Sequence, residues 1–111
     1  MITRGHRFHG YGSLRYVYQH GRTVRAPLLS ARISDNERRK SYRVAVVVSK
    51  KVDKSAVVRN RIRRRVYEVV RQLDIKNSPD IVITVFNAQT AKIPINELQQ
   101  QVKQVLHGII E

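Results

Sequence analysis

Apolar residues recur along this chain with two different spacings, and each spacing predicts one kind of secondary structure. Between residues 55 and 73, valine, isoleucine and leucine recur at i, i+4 and i+7 or i+8, which predicts a helix with one apolar face. The same spacing over 94–110 predicts a second long helix. Runs rich in β-branched residues over 42–51 and 81–87 predict two buried strands.

The N-terminal third of the chain carries weaker patterns. Residues 1–12 mix glycine with basic and aromatic residues and show no period, which predicts an extended segment. A short helix is predicted over 13–21, with Ser13 as its N-cap and Gly21 as its end. A strand is predicted over 27–34, and the polar stretch that follows it is interpreted as a hairpin loop to the next strand.

The predicted order of elements is therefore α-β-β-α-β-α, with no internal repeat and no linker. Two amphipathic helices of this length need a sheet against which to bury their apolar faces. A chain of 111 residues is long enough for one modest core and too short for two domains. We predict a single domain over residues 1–111, folded as a two-layer α/β (α+β) sandwich.

The charge of the chain indicates what kind of partner the fold binds. Lys and Arg number 22 and Asp and Glu number 8, which gives a net charge of +14. Residues 1–65 contain 18 basic and 3 acidic residues, whereas residues 66–111 contain 4 and 5. A basic surface confined to one part of a folded chain indicates a polyphosphate partner, with an anionic membrane surface as the main competitor.

The predicted helix over 55–73 carries the densest charge. It contains six arginines and Glu68 as its one acidic residue, so pairing within the helix cannot neutralise it. Arginine offers a planar fork that pairs with phosphate and stacks on exposed bases. The predicted nucleic-acid surface comprises this helix's polar arc and the lysines before it, namely Lys50, Lys51, Lys54, Arg59, Asn60, Arg61, Arg63, Arg64, Tyr67 and Arg71.

Three other interpretations of this helix stay open from the residues alone. A run of charge on a helix is usually a solvated face. A ribosomal or DNA-binding module could use the same helix, although a strand rather than another helix precedes it. A membrane-surface helix would need large exposed apolar residues, whereas valine and isoleucine at core spacing indicate burial.

The residues that would carry chemistry of the chain's own are missing. No Cys is present, which excludes disulfides, thiolate metal sites and Cys nucleophiles. No phosphate-binding loop, nucleophile elbow or zinc-protease motif occurs in the sequence. Apart from each other, His6 and His9 have no acidic or histidine neighbour in the sequence. We therefore predict neither a metal site nor catalytic residues in the protein. No spanning apolar run occurs, and we expect a cytoplasmic protein without a membrane partner.

The stretch "VSKKVDKSAVVRNRIRRRVYEVVR" resembles the signature of the bacterial ribonuclease P protein subunit. In that family, a strand ending S-K-K is followed by a short turn and then by A-V-x-R-N-R on a helix. "RFHGYGSLRYVYQHGR", "DIVITVFN" and "INELQQQVKQVL" are similar to the family's N-terminal helix, last strand and C-terminal helix. The resemblance thus extends over nearly the whole chain.

This resemblance implies a fold with a left-handed β-α-β crossover, ribosomal protein S5 domain 2-like, which is an exception to the usual handedness. It also implies a function, in which the subunit binds a large catalytic RNA and the 5′ leader of precursor tRNA. The ribonucleoprotein then removes that leader, and the RNA holds the Mg²⁺ ions and performs the hydrolysis. The protein contributes no catalytic residue in this scheme.

The resemblance further implies a leader-binding cleft between the sheet and the helices. The residues carried over to this cleft are Arg7, Leu14, Tyr18, Arg32 and Ser49. Leu14 stands where the family often has Phe, and Arg32 where an aromatic often lines the cleft. The turn "VDKS" is one residue longer than the family's, and Tyr67 takes a place where Arg is common.

Overall fold

The computed structural model describes residues 11–35 and 41–110. Three α-helices and four strands follow one another in the order α1, β1, β2, β3, α2, β4, α3. Their bounds are α1 Tyr11–His20, β1 Arg22–Arg25, β2 Leu29–Ser34, β3 Arg43–Val47, α2 Ala56–Arg71, β4 Asp80–Val85 and α3 Ile95–Val105. Short 3₁₀ turns follow β4 at Ala88–Ala91 and α3 at His107–Ile109.

The four strands form one sheet in the order β1-β2-β4-β3. Strand β2 is antiparallel to both β1 and β4, and β3 is parallel to β4. The hairpin predicted between β2 and β3 is wrong, because β4 lies between these two strands. The actual hairpin joins β2 to the four-residue β1, which the sequence did not predict because three of its four residues are polar.

Helices α2 and α3 cover one face of the sheet. From α2, Ile62, Val66, Val69 and Val70 are buried, as the apolar spacing predicted. They share one core with α3 and with alternate residues of the strands. The strand residues in this core are Leu29, Ala31, Ile33, Val44, Val46, Ile81, Ile83 and Val85. The predicted mixed α/β architecture, with helices packed on one sheet, is confirmed.

Helix α1 contacts β2 and β4 on the opposite face of the sheet, called here the α1 face. Val17 of α1 and Val82 of β4 are almost fully buried yet lie outside the main core cluster. Gly21 ends α1, as predicted, and lets the chain turn tightly against β2. A Cβ at this position would stand 2.7 Å from the carbonyl oxygen of Val17 and 3.1 Å from that of Ile33.

The α1 face is polar where the main core is apolar. Ser30, Arg32 and Ser34 of β2 alternate with core residues, opposite Thr84, Val82 and Asp80 of β4. At the end of this face Arg43 donates to both carboxylate oxygens of Asp80, from Nε at 2.8 Å and from Nη2 at 2.7 Å. Both side chains are buried, and their pairing offsets the cost of removing these two charges from water.

Two helix boundaries differ from the sequence prediction. Helix α1 begins at Tyr11 rather than at Ser13, so Ser13 lies inside the helix and is not its N-cap. Two glycines near the helix start made the sequence pattern resemble a loop. Helix α2 links two parallel neighbours, β3 and β4, in a β-α-β unit. The left hand of this crossover stays an expectation from the resemblance.

Candidate nucleic-acid interface

The start of helix α2 is fixed by three side chains of its own neighbourhood. Ser55 is the N-cap, and its Oγ accepts a hydrogen bond from the Val58 backbone N–H at 3.3 Å. Asp53 Oδ1 accepts from the Ser55 N–H at 2.8 Å. Arg59 Nη1 donates to the carbonyl oxygens of Asp53 and Lys54, each at 2.9 Å. Arg59 therefore holds the turn before the helix as well as contributing charge.

The outward face of α2 carries the exposed arginines. Arg61 and Arg64 are exposed and have no hydrogen-bond or ion-pair partner among the described residues. Asn60 is exposed too, and its Oδ1 accepts from Arg63, which is half-buried. Val57 lies one turn before Arg61 and is 78% exposed. This face presents planar cations, a free amide N–H₂ and an apolar contact together.

Arg65, also in α2, is committed to the fold. Its Nη1 donates to the Thr90 carbonyl oxygen at 2.7 Å and its Nη2 to that of Ile93 at 2.5 Å. These bonds tie α2 to the 3₁₀ turn after β4. A signal was present in the sequence, because Arg65 stands seven residues after Val58 and three after Ile62, inside the apolar stripe. An arginine in that position needs buried acceptors.

Tyr67 and Arg71 lie further along the helix and have partners within the chain. The Val46 backbone N–H donates to the Tyr67 hydroxyl at 3.2 Å, and the half-buried ring packs against the core. Tyr67 thus covers the outer edge of β3. Arg71 is hydrogen-bonded to Glu68, and this guanidinium lowers the pKa of the Glu68 carboxyl to about 2. RNA contact by these two residues stays a prediction.

The lysines of the predicted surface lie in the turn between β3 and α2. Lys50, Lys51 and Lys54 are all exposed, and so is Ser49 at the end of the strand. The exposed cations of this region are Lys50, Lys51 and Lys54 in the turn and Arg61 and Arg64 in the helix. We call this set of five residues the cationic surface.

Three of the five predicted leader residues, Leu14, Tyr18 and Arg32, lie on α1 or on the α1 face, whereas Ser49 lies in the turn between β3 and α2. Leu14 and Tyr18 are on α1, where Tyr18 is 41% exposed. Arg32 lies in the middle of β2, half-buried, and its Nε is buried without an acceptor among the described residues. A buried donor without a partner is rare in folded proteins and requires an explanation. Arg7 lies outside the described residues.

One pair at this face escaped the sequence analysis. The Arg25 guanidinium carbon lies 5.8 Å from the centroid of the Phe86 ring, and Phe86 is 46% exposed. Phe86 directly follows a buried strand, so its pattern was typical of a core residue. Another exposed ring, Tyr16 on α1, stacks on His20 with 4.1 Å between centroids.

The structure also bears on the membrane interpretation. Four apolar side chains of α2, those of Ile62, Val66, Val69 and Val70, are buried in the core, whereas Val57 near the start of the helix is exposed. No helix in residues 11–35 and 41–110 combines the length and the apolar character needed to cross a bilayer. The same residues contain no group of three His, Asp or Glu side chains placed to bind a metal ion.

Comparisons with known sequences agree with this architecture. The sequence model of the Ribonuclease P family matches residues 2–109. The ribonuclease P protein component of Roseiflexus castenholzii is 36% identical over 114 residues, covering 99% of this chain and 92% of the relative. That of Chloroflexus aurantiacus is 35% identical over 107 residues, covering 95% of this chain and 78% of the relative.

Comparisons with solved structures show the same fold. The ribonuclease P protein of Thermotoga maritima superposes with a TM-score of 0.81 at 18% identity, covering 93% of this chain and 96% of the other. That of Staphylococcus aureus superposes with a TM-score of 0.78 at 23% identity, covering 92% and 93%. With the family match over almost every residue, the chain belongs to the bacterial ribonuclease P protein components.

Proposed function

We propose that this chain is the protein subunit of a ribonuclease P ribonucleoprotein, which removes the 5′ leader from precursor tRNA. The subunit binds the catalytic RNA through the cationic surface and receives the single-stranded leader on the α1 face. Hydrolysis belongs to the RNA. The protein raises the affinity for precursor tRNA and lowers the Mg²⁺ concentration that cleavage requires.

The observation that carries this proposal is the division of labour among the arginines of α2. Arg59 and Arg65 are hydrogen-bonded to backbone carbonyls, whereas Arg61 and Arg64 are exposed and have no partner among the described residues. Holding two like charges near one another without a counter-charge costs folding free energy. A phosphate backbone supplies that counter-charge, with two parallel hydrogen bonds per guanidinium.

The α1 face supports the leader part of the proposal. It combines the Nε of Arg32, which is buried without an acceptor among the described residues, with serine and threonine hydroxyls, and exposed aromatic rings lie at its margins. Cations that follow the phosphates and rings on which bases stack are the two components of single-strand binding sites.

Three of the carboxylates in residues 11–35 and 41–110 already have hydrogen-bond partners within the chain. Asp80 is paired with Arg43, Glu68 with Arg71, and Asp53 accepts from the Ser55 N–H. The proposal therefore assigns the Mg²⁺ ions to the RNA, and the protein acts on them only by supporting the RNA.

The experiment that tests this function is cleavage of a precursor tRNA at low Mg²⁺. Protein alone, a bacterial ribonuclease P RNA alone and the two together are compared. We expect cleavage mainly in the mixture. A second arm uses the double substitution Arg61→Ala and Arg64→Ala. Its control is the double substitution Lys76→Ala and Lys103→Ala, which changes the charge equally. Both lysines are exposed and lie outside α2.

The Arg61→Ala, Arg64→Ala variant should bind the RNA more weakly and need more Mg²⁺, and the slope of log affinity against log salt should shrink by about two. The lysine control should stay near wild type. Equal losses in both variants would point to net charge alone, and no stimulation by the wild-type protein would contradict the proposal.

A further inference from the structure

The Arg25–Phe86 pair lies at the rim of the α1 face and has no assigned role. Phe86 follows the last residue of β4, and its backbone N–H donates to the Leu28 carbonyl oxygen at 2.9 Å. This bond extends the pairing of β2 and β4 by one step. The next residue, Asn87, caps the 3₁₀ turn by accepting from the Gln89 N–H at 2.8 Å. Phe86 is thus held between the end of the sheet and a capped 3₁₀ turn.

The strand register places both side chains on the same face. Val85 enters the main core opposite Leu29, so the following residue points to the other side of the sheet. Val24 packs against the main core, so Arg25 also points to that other side. The distance of 5.8 Å between the guanidinium carbon and the ring centroid agrees with this placement. Arg32 stands on the same face, nearer its middle.

Exposure of a single aromatic ring carries no argument alone, because isolated apolar side chains are common on protein surfaces. The combination is more specific. A ring that is 46% exposed offers a flat apolar surface, and an exposed guanidinium beside it offers charge. An unpaired nucleotide has the two matching parts, since its base stacks on rings and its phosphate pairs with arginine.

We propose that the Arg25–Phe86 pair is a stacking subsite for one unpaired nucleobase of an RNA strand lying on the α1 face. The base rests on the Phe86 ring, and Arg25 meets the adjoining phosphate. The same strand passes Arg32, whose register partner Val82 precedes Phe86 by four residues on β4, about 13 Å of backbone at about 3.3 Å per residue. This inference rests on the proposed function and names a leader contact within it.

The test uses Phe86→Leu, which keeps apolar bulk but removes the planar ring, and Phe86→Trp, which keeps a ring. Precursor tRNAs with an abasic nucleotide stepped along the leader are bound to the protein–RNA holoenzyme. We expect one abasic position to weaken wild-type binding by about fivefold or more, and to have no effect on the Phe86→Leu holoenzyme. The Phe86→Trp variant should behave as wild type. An undiminished abasic effect in Phe86→Leu, or equal losses in the leucine and tryptophan variants, would overturn the proposal.

A second measurement separates this subsite from the proposed function. The sequence contains no Trp, so Phe86→Trp introduces a single indole fluorophore. With protein alone, a short single-stranded RNA should quench its emission, and Arg25→Gln should reduce the salt slope of that binding by about one. Quenching without stimulated cleavage would sustain the stacking site and reject the tRNA-processing role. Stimulated cleavage without quenching, and with no abasic effect, would reject the subsite alone.

Discussion

Arg61 and Arg65 stand one helical turn apart on α2 and have different partners. The guanidinium of Arg65 donates to the carbonyl oxygens of Thr90 and Ile93, whereas Arg61 has no partner among the described residues. An arginine thus stabilises the fold at position 65, whereas the arginine at position 61 is available to a ligand. The number of arginines in α2 therefore does not show which of them are free to bind a partner.

The Arg65→Ala substitution should therefore destabilise the fold, and Arg61→Ala should not. Loss of two charge-assisted bonds leaves buried carbonyls without donors, which costs about 2–3 kcal/mol. The Arg61 change should stay within about 0.5 kcal/mol of wild type. Urea unfolding measures both free energies, and RNA titration should show the reverse ranking in affinity. Equal unfolding free energies of the two variants would contradict this assignment.

The Tyr67→Phe substitution should affect the sheet edge more than RNA binding. The Tyr67 hydroxyl accepts from the Val46 N–H, and removing it should cost about 1 kcal/mol. Amide hydrogen exchange at Val46 should accelerate, while exchange at Val44 serves as the internal control. Since the aromatic ring is retained, RNA affinity should change little. Weakened RNA binding with unchanged exchange would instead place the hydroxyl at the RNA.

The Gly21→Ala substitution should destabilise the protein, with Gly108→Ala as its control. A Cβ at position 21 would lie 2.7 Å from the Val17 carbonyl oxygen, too close for contact without backbone movement. We expect a loss of about 1–3 kcal/mol, as for overpacking in a core. At Gly108 a Cβ meets nothing within 4 Å, so stability should be unchanged or slightly higher. The melting temperatures of the two variants test this prediction, and equal melting temperatures would contradict it.

The stability of the fold should decline in acid partly through Glu68. The hydrogen bond from Arg71 lowers the pKa of Glu68 to about 2, below its ordinary value near 4.5. Because the pKa of Glu68 is lower in the folded state than in the unfolded chain, the ionised carboxyl stabilises the folded state at pH values above the unfolded pKa. This contribution disappears as the pH falls from about 4.5 towards 2. NMR titration of the Glu68 carboxyl measures the pKa. In Glu68→Gln, this part of the acid dependence should be missing, and Arg71→Gln should return the pKa towards its ordinary value.

Local spacing in the sequence was sufficient to predict the long helices and their buried faces. Ile62 and Val66 recur with the helical period, and Ser55 has the side chain of an N-cap, so each signal lies within a few residues. Strand order was not predictable in this way. Strand β4 lies between β2 and β3, and no local pattern in the sequence records that pairing.

The sequence predicted where the cationic residues of the site lie, but not which of them are hydrogen-bonded within the fold. Residue type located the cationic residues around α2, since unpaired like charge is visible in the sequence. The acceptors that occupy Arg59 and Arg65 are backbone carbonyls, which every residue carries and which only the fold brings near. The Arg25–Phe86 contact likewise joins residues 61 positions apart, so folding alone creates it.

The central position of β4 has a consequence for the growing polypeptide on the ribosome. Among the strands that the structure describes, β2 and β3 are joined through β4, which follows both of them in the sequence. Until Val85 has emerged, the nascent chain contains the strongly basic N-terminal half without the strand that unites its sheet. Its cations are therefore exposed on an incompletely folded polypeptide, in the immediate presence of ribosomal RNA. The sheet can therefore close only after the basic half of the chain has been synthesised.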